Sequence, residues 1–154
     1  MSRFASRRGF NLVEVMVAVA LLGVIAGVAL PWFSDARDRI RRAEPLLNLE
    51  AIAQAQRSYA STFDTYVPAV TNPGYPVSAA LKPWRSGAPG WEQLGWAPDG
   101  EVRCTYSARV SDGDWRVVLE SVCDIDSDGE QAKLMLEVTD HSEPLLIDLH
   151  PERF

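Results

Sequence analysis

The sequence predicts an α+β fold in which one long N-terminal α-helix, transmembrane in its first half, packs on a four-stranded antiparallel β-sheet head. Three observations carry this expectation. An uncharged, mostly apolar run extends from Val15 to Phe33, and helix formers resume from Ser34 to Ala60. From Val102 the hydrophobic period changes from helical to alternating, with turn residues between the runs.

The 154 residues leave about one hundred for a soluble domain after the helix, enough for one core of ordinary size. The expected segments are a basic leader over 1–9, an apolar helix over 10–33, an amphipathic helix over 34–62, and a head over 63–154. Charge is unevenly spread. Arg3, Arg7 and Arg8 stand in the leader without an acid, whereas Thr62 to Phe154 holds 16 acidic against 7 basic residues. A head so acidic repels polyanions, which disfavours nucleic-acid binding.

Val15 to Phe33 spans 19 residues, about 28 Å as an α-helix, enough to cross the hydrocarbon of a bilayer. The leader arginines, held inside, orient the C-terminal part outward. Gly23 and Gly27 form a small-xxx-small spacing that lets helices approach closely. Just before this run stands one carboxylate, Glu14, which is costly in hydrocarbon and requires a partner or a watery route.

Pro31 lacks an amide hydrogen and crowds the preceding turn, so a kink or local melting is expected around Gly27 to Pro31. Pro45 introduces a second bend or the first residue of a renewed helix. Beyond Pro31, Ala43, Leu47, Ala51, Ala55 and Tyr59 recur at four-residue spacing, with Leu49, Ile52, Gln56 and Phe63 nearby on the wheel. This reads as the face packed on the head. Arg37, Arg39, Arg41 and Arg42 interleave with Asp35, Asp38 and Glu44, either as a solvated helical face or as partners for intersubunit salt bridges.

Six prolines and five glycines between Asp64 and Gly100 argue for a folded connector without long regular elements. Trp84, Trp91 and Trp96 either pin it onto the head or contact another subunit. The first expected strand places Cys104, Tyr106, Ala108 and Val110 on one face and Arg103, Thr105, Ser107 and Arg109 on the other. Asp112-Gly113 turns the chain into a second strand, Trp115 to Val122, and Lys133 to Thr139 and Leu145 to Leu149 supply two more. Cys104 and Cys123 both lie in the head, which suits one intradomain disulfide if the head is outside the cytoplasm. Two buried free thiols are the competing reading.

Asp124-Ile125-Asp126-Ser127-Asp128-Gly129-Glu130 alternates carboxylates before a glycine, a pattern that can wrap oxygen ligands around a hard cation, with Ca2+ the natural candidate. An EF-hand is excluded: its bidentate acid would fall at Met135, and the flanks read as strands. Two readings stay open. One is a small calcium-binding hairpin with Asp124, Asp126, Asp128 and Glu130 as ligands. The other is an acidic turn whose Asp side chains bond nearby amides while Gly129 supplies a positive φ. Catalytic motifs are absent from the sequence: His141 and His150 are the only histidines, and no zinc pattern, phosphate-cradling loop or dinucleotide fingerprint occurs. His141, beside Asp140, reads as an exposed turn residue.

Gly9-Phe10-Asn11-Leu12-Val13-Glu14-Val15-Met16-Val17, with Pro31 closing the apolar run, resembles the N-terminus of type IV prepilins and pseudopilins. The likeness covers roughly the first 55 residues; a softer one, Leu94 to Gly100, is similar to a tract before the first head strand of some pilins. The resemblance implies a pilin-like fold and cleavage after Gly9 by a prepilin peptidase, which also methylates the new amino group of Phe10. It implies that Glu14 neutralises the amino terminus of a neighbouring subunit in a filament core, the partner that a buried carboxylate requires. It further implies no enzymatic activity but a structural subunit, polymerised with its own or other pilins. Before assembly such a subunit waits in the bacterial inner membrane with a periplasmic head, and it depends on an assembly platform and a separate ATPase. A pseudopilin of a type II secretion system shares the N-terminus. A membrane-anchored calcium-binding or adhesive domain that never polymerises is the third reading.

Overall fold

The structure, a computed structural model, describes residues 11–111, 113, 115–140 and 142–151, without the side chains of 30, 31, 34, 35 and 38. The leader with Gly9, and Phe10, Asp112 and His141 therefore lie outside the described residues. The chain divides into two compact units, Met1–Arg37 and Asp38–Phe154, and helix α1 (Leu12–Phe63) contributes to both.

In the first unit the described chain is helix preceded by Asn11. The Asn11 side chain caps it, Oδ1 accepting from the Val13 N–H at 3.3 Å, which satisfies one of the amides that a helix start leaves unpaired. The helix continues through Pro31 and Pro45, so the local melting expected near Pro31 does not occur. A proline removes one hydrogen bond without ending a helix that its neighbours sustain. The side chain of Pro31, the expected kink residue, is outside the described set.

In the second unit α1 packs on a five-stranded antiparallel sheet with strand order identical to chain order. The strands are β1 (Ala69–Asn72), β2 (Thr105–Val110), β3 (Arg116–Cys123), β4 (Ala132–Thr139) and β5 (Leu145–Asp148), with one short helix, α2 (Trp91–Leu94), before β2. β1 is the strand not anticipated. It has four residues bounded by Pro68 and Pro73 and lies at the edge of the sheet, where proline is tolerated because no further strand needs its amide. Pro89 covers part of that edge by accepting from the Val70 N–H. The covering backbone comes so close that a Cβ on Gly90 would lie 2.1 Å from the Pro68 carbonyl oxygen, at a φ of +87°. Only glycine fits there.

The face of α1 that meets the sheet is partly the expected one and partly rotated from it. Of the expected set Leu49, Ile52 and Gln56 are buried and Ala55 and Tyr59 pack against the core, joined by Pro45 and Ala53, whereas Ala43, Leu47, Ala51 and Phe63 are exposed. The cause is geometric: at 3.6 residues per turn a strict four-residue spacing winds around the helix, while alternating steps of three and four stay on one face. The arginine cluster divides too. Glu44 Oε1 accepts from the Arg103 amide at 2.8 Å and Oε2 from its guanidinium at 3.1 Å. Arg42 donates to Asp148 Oδ2 and to the carbonyls of His150 and Pro151. Both thus fasten α1 to its own head, a use that neither reading of the cluster included. Arg37 and Arg39 are exposed.

Along the inner face, Tyr106, Ala108, Val117, Leu119, Leu134, Leu136 and Val138 form the core with Leu49 and Ile52. Gln56 is fully buried, and its amide pairs both ways with Val67, donating to the carbonyl at 2.7 Å and accepting from the N–H at 2.9 Å. The other face of β2 is covered as well: Thr105 and Ser107 are buried. On that face Glu120, itself buried, receives Arg109 and Lys133. Trp84, Trp91 and Trp96 stack edge-on or tilted with centroids 5.0 to 5.6 Å apart, and Trp91 Nε1 donates to the Val70 carbonyl. They pin the connector onto the head.

Cys104 and Cys123 form a disulfide just beyond the Thr105↔Val122 pair, with Cα atoms 4.4 Å apart. The fourth expected strand ends at Asp148, one residue early, although the Leu149 N–H still donates to Lys133.

Candidate functional site

Two places concentrate chemistry, the start of α1 and the turn between β3 and β4. At the first, Leu12–Ala29 is an 18-residue helical window long and apolar enough to cross a membrane, and none of it is buried. Leu12, Met16, Val24, Ile25 and Val28 are each more than 60% exposed, so this surface demands lipid or protein around it. Glu14 sits in the first turn, where a carboxylate complements the positive end of the helix dipole. It is exposed and has no ion-pair partner among the described residues. Gly23 and Gly27 have no atom within 4 Å of the position a Cβ would take, so both present open backbone surface.

At the second place, Asp124, Asp126 and Asp128 each bring one carboxylate oxygen to within 4.8 Å of the others. The turn geometry explains two of the three. Asp126 Oδ1 accepts from the Asp128 N–H at 3.3 Å, and Asp128 Oδ1 from the Glu130 N–H at 2.7 Å. Gly129 has a φ of +89°, and Ser127 also takes a positive φ, 63°. Asp124 differs: it is buried, 7% exposed, and its Oδ1 has no hydrogen-bond partner. Glu130, the fourth candidate ligand, contributes its backbone N–H to the turn and is not one of the three converging carboxylates. The Ser127 hydroxyl accepts from the Ala79 N–H at 3.0 Å and so ties the turn to the connector.

No local pattern foretells Gln56 pairing with Val67, Glu44 reaching Arg103, or Arg42 reaching Asp148. Each joins residues whose proximity only the tertiary fold creates. Tyr106 is similar: its hydroxyl accepts from Asn48 Nδ2 at 2.8 Å, and burial pushes its pKa well above the usual tyrosine range.

Residues 4–30 match the family described as the prokaryotic N-terminal methylation motif. The type IV major pilin protein PilA of Myxococcus xanthus is 36% identical over 103 residues, covering 66% of this chain and 44% of that protein. PilE of Neisseria gonorrhoeae, also a type IV major pilin, is 30% identical over 76 residues, 49% of this chain and 46% of PilE. A fimbrial protein of Pseudomonas aeruginosa is 40% identical over 40 residues, a quarter of each chain. The chain thus spans a little under half the length of the first two relatives. The match to PilA is too long to fit within the first unit and must extend into the head. No solved structure matches the chain. The relatives are pilins, structural proteins and not enzymes. By its methylation motif, its pilin relatives and its helix-on-sheet architecture, the chain is similar to the prepilin-like proteins of the type IV pilin superfamily.

Proposed function

We propose that the chain is a structural subunit of a type IV pilus, cleaved after Gly9 by a prepilin peptidase, methylated at Phe10, and polymerised through α1 into a surface filament. The observation that carries this reading is the continuation of unpartnered apolar surface past the membrane-length window. Trp32 and Phe33 are exposed, and so, within the second unit, are Ile40, Leu47, Ala43 and Ala51 on the part of α1 turned away from the core. Lipid accounts for about 30 Å of such surface; neighbouring copies of the same helix account for the remainder.

The subunit waits in the bacterial inner membrane with its head on the periplasmic side. Glu14 is the docking charge. With the leader removed, the amino group of another subunit's Phe10 becomes its counter-ion, and pairing inside an apolar filament core offsets the desolvation of both. Extraction from lipid requires an assembly platform and an ATPase supplied by other proteins, and other pilins can share the polymer. The names of the relatives favour a pilus over a type II secretion pseudopilus, which the same N-terminus also serves, and over a lone anchored adhesive domain.

Filaments sheared from cells and analysed by mass spectrometry test processing and assembly together: a methylated Phe10 terminus is expected. Glu14→Ala should lower filament yield at least tenfold while cleavage proceeds. Unchanged yield from that variant removes Glu14 from assembly, and an intact Met1 terminus in membranes favours the anchored domain.

A further inference from the structure

We propose that the β3–β4 turn is a divalent-cation site, preferring calcium to magnesium, in which Asp124, Asp126 and Asp128 each give one carboxylate oxygen. Convergence of three acids within 4.8 Å is the first observation. The second is independent of it: Asp124 is more than nine-tenths buried, its Oδ1 has no partner, and its carboxylate belongs to the converging set. The hydrogen bonds that shape the turn use Asp126 and Asp128 and leave Asp124 out. A buried, unpartnered carboxylate is unfavourable unless it protonates or meets a cation. Lys133, opposite Val122 near the end of β3, is held 3.3 Å from Glu120.

The chemistry of the donors selects the ion. Carboxylates are hard oxygen ligands, and no cysteine or histidine belongs to the set, which points away from zinc and copper. Two of the three acids are exposed, leaving room for water and backbone carbonyls to complete the six to eight ligands calcium accepts. Magnesium, by contrast, demands strict octahedral geometry. The ion would fix the turn at the end of β3 next to Cys123 and, through the bond between Ser127 and Ala79, steady the connector as well. The proposal does not depend on polymerisation.

Calorimetric titration of the full chain in detergent with calcium chloride should show one site with a Kd on the order of 0.1–1 mM, typical of extracellular calcium modules. At 10 mM calcium the thermal midpoint should rise by about 3–8 °C over the chelated protein. Magnesium at equal ionic strength should give less than half that shift. Asp124→Asn should abolish binding. Because that variant alters a buried residue, the exposed pair Asp126→Asn and Asp128→Asn provides the second test and should lose both the heat and the shift. Absence of binding in the unaltered chain overturns the proposal. So does a calcium shift that persists in the exposed double variant, since it would reflect general screening of an acidic head.

Discussion

The two halves of α1 use the same helical geometry toward opposite ends. From Leu12 to Ala29 every residue is exposed and nearly all are apolar, whereas from Asp38 onward polar and apolar residues alternate and a narrow face is buried under the sheet. The first half has no inside of its own, and its stability comes from whatever surrounds it. The second half is stabilised within the chain, by Leu49, Ile52, Ala53 and Gln56 on the core side. The contrast shows that hydrophobicity alone does not say where a helix packs; the phase of the pattern does.

Substitutions of equal size in the two halves should break this symmetry most visibly. Ile52→Ala leaves a cavity in the core and should cost about 2–5 kcal/mol of head stability. Leu21→Ala, on a surface without neighbours, should leave the head within about 0.5 kcal/mol of the original. Urea unfolding followed by tryptophan fluorescence, for which the Trp84, Trp91 and Trp96 cluster is a built-in reporter, measures both. Next in size, replacing Cys104 and Cys123 together by serine opens a loop of 19 residues and should lower head stability by about 3 kcal/mol. The same urea experiment detects it, and membrane anchoring should not change. The smallest expected effect on stability sharpens the boundary between the halves. Ile40→Ser with Leu47→Ser should shift head unfolding by no more than about 0.5 kcal/mol yet reduce the yield of sheared filaments several-fold. A large loss of head stability would instead place those side chains inside the subunit.

Much of this was legible in the residues. The apolar run, the lone Glu14 and the switch from helical to alternating period announced helix and sheet, and four of the five strands lie within a few residues of where alternation put them. β1 was hidden because four residues between two prolines carry no period long enough to detect. The packed face of α1 was partly misphased, Leu49, Ile52 and Gln56 being placed correctly but Ala43, Leu47 and Ala51 not, because small alanines at every fourth position imitate a seam. The long-range polar pairs were invisible, since no local pattern links Glu44 to Arg103 or Gln56 to Val67. The acidic turn was readable as a motif, but the burial and missing hydrogen bond that distinguish Asp124 from its two exposed companions emerge only in the fold.

Because each strand of the head pairs with the strand next to it in the chain, the meander can zip up in chain order. Each of the hairpins from β2 to β5 needs only the one before it, and the long loop left to close is the connector between β1 and β2. Helix-to-head bonds such as Glu44 to Arg103 span the chain more widely, and those from Arg42 to the carbonyls of His150 and Pro151 reach further still, bridging more than one hundred residues. The Arg42 bonds cannot form until the tail of the head has arrived. Arg42 is thereby placed as a closing latch, joining the root of the head to the end of its last strand.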